Sequence, residues 1–267
     1  MNAFLFANEP LIRLGGFFGV LLVMAIWEGL APRRAQHVSR QVRWPNNLGI
    51  VVLNTLLARL LLAGATIATA VHAQQQGWGL FNMVAAPDWL AVVLSVLLLD
   101  MAIYAQHVLF HYAPPLWRLH RMHHADLEFD VTTGLRFHPV EIILSLLIKL
   151  AVIVAIGAPA LAVLIFEVLL NATSMFNHSN VRIKSGVDRL LRLVLVTPDM
   201  HRVHHSIHKD ETNSNFGFNL PWWDRLFGTY RPQPRDGHLG MTIGLPVFRD
   251  PAELRLDRML LQPLRKG

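Results

Sequence analysis

Residues 90–111 read LAVVLSVLLLDMAIYAQHVLFH. A helix rises about 1.5 Å per residue, so about 20 apolar residues cross the core of a bilayer. This run meets that length with Asp100 as its one charged residue. It ends in His107 and His111. Successive residues turn by about 100°, so positions four apart lie roughly 40° apart on a helix. The two imidazoles therefore leave the end of a membrane helix on one face.

Other apolar runs lie on both sides of it. One spans about Leu11 to Leu30, with neither a basic leader nor a small-residue cleavage site, and reads as an anchor. A second runs from about Asn47 to Val71 and carries Arg59, buried or snorkelling. After the quoted run, Val140 to Phe176 is apolar and is broken at Gly157-Ala158-Pro159. Its halves suit a tight helical hairpin that crosses or re-enters. Apolar residues make up 53% of the 267 residues and charged ones only 16%. Soluble domains carry about 25% charge, so the chain is a membrane protein.

Charge orients it. Residues 31–46 carry Arg33, Arg34, Arg40 and Arg43, residues 72–87 carry no Lys or Arg, and residues 113–139 carry Arg118, Arg121 and Arg136. More than half of the basic residues fall in the last ninety. Basic loops stay inside, which predicts an external N-terminus, a cytoplasmic C-terminal region and an inner or plasma membrane location. The net charge of +6 then reflects loop arginines, and no nucleic-acid motif accompanies it. With no cysteine, disulfides, iron–sulfur clusters and thiolate zinc sites are excluded.

Two further clusters repeat the histidine theme: His120-Arg-Met-His123-His124 and His201-Arg-Val-His204-His205. Positions i, i+3 and i+4 span roughly 100°, so each cluster aims three imidazoles one way. All three clusters fall on the cytoplasmic side of the predicted topology. Eight imidazoles exceed the need of one zinc ion, which takes about four ligands, and of a haem, which takes one or two. They suit two metal ions, with Fe, Zn, Cu or Ni compatible with nitrogen donors. Asp100, Glu141 and Glu167 do not form the paired Glu-x-x-His pattern of soluble di-iron bundles. His37, His72 and His238 stand alone and read as ordinary side chains. Pro221-Trp222-Trp223 reads as an interfacial belt.

In this order the clusters resemble those of the fatty acid hydroxylase/sterol desaturase superfamily. Further matching strings are Arg136-Phe137-His138-Pro139-Val140-Glu141, Phe176-Asn177-His178-Ser179-Asn180, Thr197-Pro198-Asp199-Met200, Asn215-Phe216-Gly217 and Trp223-Asp224-Arg225-Leu226-Phe227-Gly228-Thr229-Tyr230. The resemblance covers about residues 90–232. It implies a histidine-liganded di-iron membrane enzyme that uses dioxygen to hydroxylate or desaturate lipid carbon. It adds His138 and His178 to the candidate ligands, alongside His107, His111, His120, His123, His124, His201, His204 and His205. His208 reads as a supporting group, and Asp126, Asp199 and Glu211 are carboxylates that could orient imidazoles.

The expected protein is all-α, with about four membrane helices and a cytosolic helical cap holding two irons, zinc being a possible substitute. It forms one domain: residues 1–89 supply N-terminal membrane helices, 90–232 the core, and 233–267 a peripheral tail. Its substrate is a fatty acid or sterol-like lipid in the bilayer. Electrons come from a separate reductase, ferredoxin or cytochrome, since the chain carries no haem, flavin or iron–sulfur motif. The alternatives are a zinc-dependent hydrolase and a metal permease.

Overall fold

A computed structural model describes residues 2–62 and 64–266. Among them there is no strand, only the isolated bridges Pro32–Val181 and Ser206–Ile243. Nine helices position the site: α1 (Glu9–Leu30), α2 (Arg40–Leu62), α3 (Ala65–Gln76), α4 (Asp88–Tyr112), α5 (Pro114–His124), α6 (Pro139–Ile156), α7 (Ala160–Asn177), α8 (Ser185–Leu191) and α9 (Pro198–His204).

Among the described residues, five helical stretches are long and apolar enough to cross a membrane: Glu9–Leu30, Arg40–Met83, Asp88–Tyr112, Pro139–Ile156 and Ala160–Asn177. The sequence predicts about four. The protein is an integral membrane protein whose outer surface carries exposed Leu11, Phe18, Leu22, Leu56 and Leu60. Such a belt is favourable only against lipid. The expected second span, Asn47 to Val71, is not one helix. α2 and α3 flank Gly64, whose φ of +67° is left-handed. Ala63, within that span, lies outside the described residues.

Proline and glycine set the other ends. Pro87 precedes α4, and Pro114 and Pro115 open α5. Pro139 is the first residue of α6, and Gly157 ends it at φ +64°. A side chain at Gly79 would sit 2.2 Å from the Gly157 nitrogen, so the loop before α4 and the hairpin turn meet backbone to backbone.

In the membrane, α7 packs against α1, α3 and α4, and α6 against α2, α3 and α4. Ile103, Val163, Phe166 and Ile153 are buried there. Over one end of the bundle lies a cap of α5, α9, the 125–136 loop and the chain after Tyr230. Buried Arg43 clamps that loop, donating Nε and Nη2 to the two oxygens of Asp126 at 2.7 Å each and Nη1 to Asp130. The chain from 233 onward, expected to be peripheral, is part of this cap. Met241 and Ile243 pack on Phe129, and Met259 packs on Ile50 and Met122. Arg121 of α5 donates to the Gln262 carbonyl at 2.5 Å. Apolar residues interleaved among the polar ones give this segment a buried side that its composition conceals.

Candidate metal centre

Four segments converge where the bundle meets the cap. α4 ends with His107 and His111, and α5 with His120, His123 and His124. α7 ends at His178. Thr197 caps α9 by accepting from the Met200 N–H at 3.3 Å, and that helix presents His201, His204 and His205. Pro114 and Pro198 each supply a preset φ at the start of a helix, fixing where its turns fall.

The nitrogens form two groups. His107, His111, His120, His124 and His204 make one, and His123, His178, His201 and His205 the other. Within each group the candidate ligand atoms lie within 4.8 Å of one another, and all nine residues are buried. The groups adjoin where the rings of His124 and His205 stack, with centroids 4.5 Å apart.

Acceptors around the first group fix its tautomers. His107 Nδ1 donates to the Phe216 carbonyl at 2.7 Å, and His204 Nδ1 to the Ser214 carbonyl at 2.7 Å. His111 Nδ1 faces Asn213 Oδ1 at 3.1 Å, and His120 Nδ1 donates to Glu141 Oε1 at 2.7 Å. Residues 213–216 thus serve three rings. They can do so because Asn215 adopts φ +52°, a left-handed conformation that asparagine tolerates, and so Ser214 and Phe216 both present carbonyls. The Asn215 side chain holds the turn by donating to the Met200 and Arg231 carbonyls at 2.8 Å each. In the second group, His178 Nδ1 donates to the Ser174 carbonyl at 2.8 Å.

With both Nδ1 atoms protonated, the Nε2 atoms of His107 and His120 carry lone pairs, and they face each other at 3.1 Å. Two lone pairs cannot hydrogen-bond, but a cation between them turns the repulsion into ligation. A metal about 2.1 Å from each imidazole nitrogen sets neighbouring octahedral ligands about 3 Å apart. The Nε2 atoms of His111, His124 and His204 are likewise buried without a partner. His178 Nε2 lies 3.1 Å from Nε2 of both His123 and His201. The residues therefore fit a metal ion in each group, with imidazole donors already oriented through their other nitrogen.

Electrostatics agree. Burial first, then neighbouring imidazoles, pull His123, His124, His201, His204 and His205 well below the ordinary histidine range. Burial draws His178 down to about 3. Neutral imidazole is the form that binds metal.

Of the ten histidines the sequence singles out, the structure brings nine together and leaves out His138. That ring caps α6: Nδ1 accepts from the Val140 N–H at 3.2 Å, and Nε2 faces the Leu260 carbonyl at 3.4 Å. His208 pairs with exposed Asp236 at 2.9 Å, away from the centre. The carboxylates expected to orient imidazoles are used elsewhere. Asp126 binds Arg43, Asp199 binds Arg33 and Arg202, and Glu211 binds Arg231. Glu141 takes that role instead. Its signal lay in the string Arg136–Glu141, which sets it one helical turn after His138.

Comparison with known proteins places this geometry. The family model for fatty acid hydroxylase matches residues 92–229, about half of the chain. The ornithine lipid hydroxylase OlsE of Rhizobium tropici is 28% identical over 85% of this chain and 70% of its own. The alkylglycerol monooxygenase of Danio rerio is 30% identical over 64% of this chain and 38% of its own. The cholesterol 25-hydroxylase of Rattus norvegicus is 30% identical over 55% of this chain and 49% of its own. The chain spans less than half the length of the alkylglycerol monooxygenases it matches. No solved structure matches it.

Proposed function

The chain belongs to the fatty acid hydroxylase family, and we propose that it holds two irons in its paired histidine pockets and hydroxylates a membrane lipid with dioxygen. The observation that carries this reading is the 3.1 Å approach of two unprotonated nitrogens, His107 Nε2 and His120 Nε2, inside a fully buried imidazole shell. Relatives named ornithine lipid hydroxylase, alkylglycerol monooxygenase and cholesterol 25-hydroxylase support a lipid as substrate.

Iron bound in these pockets would supply the chemistry that activates dioxygen. The chain supplies position and dryness. A cavity of about 310 Å³ adjoins the first pocket, with His107 and His120 in its wall beside Ile103, Phe110 and Phe218. A second, of about 820 Å³, shares Thr55, Ile103, Ile142 and Leu170 with the first, so the two adjoin. A lipid lying in the first cavity places a C–H bond against the metal pocket, where buried His107, His120, Phe110 and Phe218 exclude water from the reacting carbon.

The overall reaction takes a C–H bond, one dioxygen, two electrons and two protons to a C–OH and one water. The electrons come from a separate carrier of the reductase, ferredoxin or cytochrome class. The loop arginines support a cytoplasmic side for the metal pockets and the C-terminal region, where such a carrier can reach them.

The test is chemical. Protein purified from iron-replete cells without chelators should hold about two metal ions per chain and consume dioxygen when given a reductant and membrane lipid, with a hydroxylated product seen by mass spectrometry. One metal ion or fewer per chain, or lipid turnover without dioxygen, would overturn the reading.

A further inference from the structure

The cavity beside the first pocket is apolar except for a few polar groups, three of which, Asn54, Gln106 and Glu141, keep an unpartnered acceptor, and two of these belong to buried side chains. Asn54, 9% exposed, donates Nδ2 to the Phe137 carbonyl at 2.9 Å. A carbonyl only accepts, so the amide orientation is fixed and Oδ1 is an acceptor. That oxygen is buried and without a partner. Glu141, 4% exposed, spends Oε1 on His120, while Oε2 is buried and unpartnered. Both residues line the same cavity as His107 and His120. A plain hydrocarbon chain there would leave two acceptors desolvated and unpaired, which costs about 1–3 kcal/mol for each buried group.

We propose that the part of the lipid held beside the metal pocket carries a hydrogen-bond donor, a hydroxyl, amide or ammonium group, received by Asn54 Oδ1 and Glu141 Oε2. This rests on the reading of the centre as a lipid oxygenase and narrows its substrate. The oxidised carbon then lies within a few bonds of a polar group, because the acceptors and the imidazoles share one cavity wall. Regiochemistry is set by anchoring that donor, and the rest of the lipid occupies the adjoining larger cavity.

Binding tests this without turnover. The full-length, metal-loaded protein in detergent micelles is titrated with three probes and followed by native mass spectrometry. Hexadecylglycerol offers hydroxyl donors, N-hexadecanoylornithine offers amide and ammonium donors, and methyl hexadecanoate offers none. At least one donor-bearing probe should bind about tenfold or more tighter than the ester. Whichever of the two binds tighter identifies the donor. Asn54→Leu should reduce that preference by about tenfold at unchanged metal content, since Asn54 touches no candidate ligand. If that variant fails to fold, the wild-type comparison decides alone. Equal affinity for all three probes, as expected where water satisfies the acceptors, overturns the proposal, as does a preference that Asn54→Leu leaves intact. Selective binding without dioxygen consumption would refute the oxygenase reading and leave this one standing. Indifferent oxidation of all three probes would do the reverse.

Discussion

His120 donates its Nδ1 proton to Oε1 of Glu141 across 2.7 Å, in a pair that is almost wholly buried. The contact fixes the tautomer and turns Nε2 toward His107. Losing such a partner typically lowers metal affinity or activity by about 10–100-fold. Glu141→Ala should therefore lose metal from the first pocket under graded chelation well before the wild type. Glu141→Gln keeps an acceptor and should fall between them. Identical metal retention in Glu141→Ala and wild type would remove Glu141 from the centre.

Gly134 supports the second pocket by what it lacks. A Cβ there would sit 2.5 Å from the Ser174 carbonyl oxygen and 3.0 Å from His178 Nδ1. Backbone cannot yield as a flexible side chain does, so Gly134→Ala must push the end of α7 and tilt His178 out of line. Metal content measured by elemental analysis should drop from about two ions per chain towards one. Full occupancy with wild-type affinity would show that α7 absorbs the shift.

The histidines divide sharply. His178→Ala and His204→Ala each remove a converging nitrogen and should abolish lipid oxidation together with metal from their pocket. His138→Ala should keep both metals. It loses a helix cap, worth about 0.5–2 kcal/mol of stability, and the long contact to the Leu260 carbonyl. Metal analysis of the three variants decides, and loss of an ion from His138→Ala would place that residue among the ligands after all.

Acid should open the centre. The unfolded chain titrates histidine at about 6.5, whereas His178 is held down to about 3 in the folded protein. A folded value below the unfolded one means that the unfolded state binds more protons in between. The contribution to stability is thus fully present above about pH 6.5 and is lost as pH falls from there towards 3. The same protons compete with metal for the nitrogens. The thermal midpoint should be level near neutrality and fall on acidification below about 6.5, in step with metal release. A midpoint that stays level down to pH about 5 would contradict this.

Topology reporters check the orientation. A fusion at the C-terminal end should report cytoplasmic, and one within residues 74–79 external. A cytoplasmic signal from that loop would move the metal pockets to the other face of the membrane.

The membrane helices were legible because their ends are punctuated. Pro87, Pro139, Gly157 and Pro159 act locally on the backbone, and hydropathy filled the gaps between them. The turn at Gly64 was hidden within a continuous apolar run, since a left-handed φ leaves no mark on hydropathy. The eight clustered imidazoles were readable from helical spacing alone, because neighbours on one helix face are neighbours in space. How His138 and Glu141 divide their roles was not. Both sit near the start of α6 beside the ligands, and only the packed structure shows one ring turned to cap the helix and the carboxylate turned to His120. The acceptors at residues 213–216 escaped notice for a similar reason: two of them are carbonyls, which every residue possesses.

The wide separation of the converging segments has a consequence for synthesis. His107 and His111 emerge about a hundred residues before His205, an interval of roughly 5–20 s at ribosomal speeds of about 5–20 residues per second. For most of that time α4 and α5 offer four imidazoles of the first pocket with His204 not yet made. Any divalent cation can occupy them, and when α9 arrives the cap closes over whatever is present. Which metal the finished protein carries is then a matter of what the compartment supplied during those seconds as much as of intrinsic affinity.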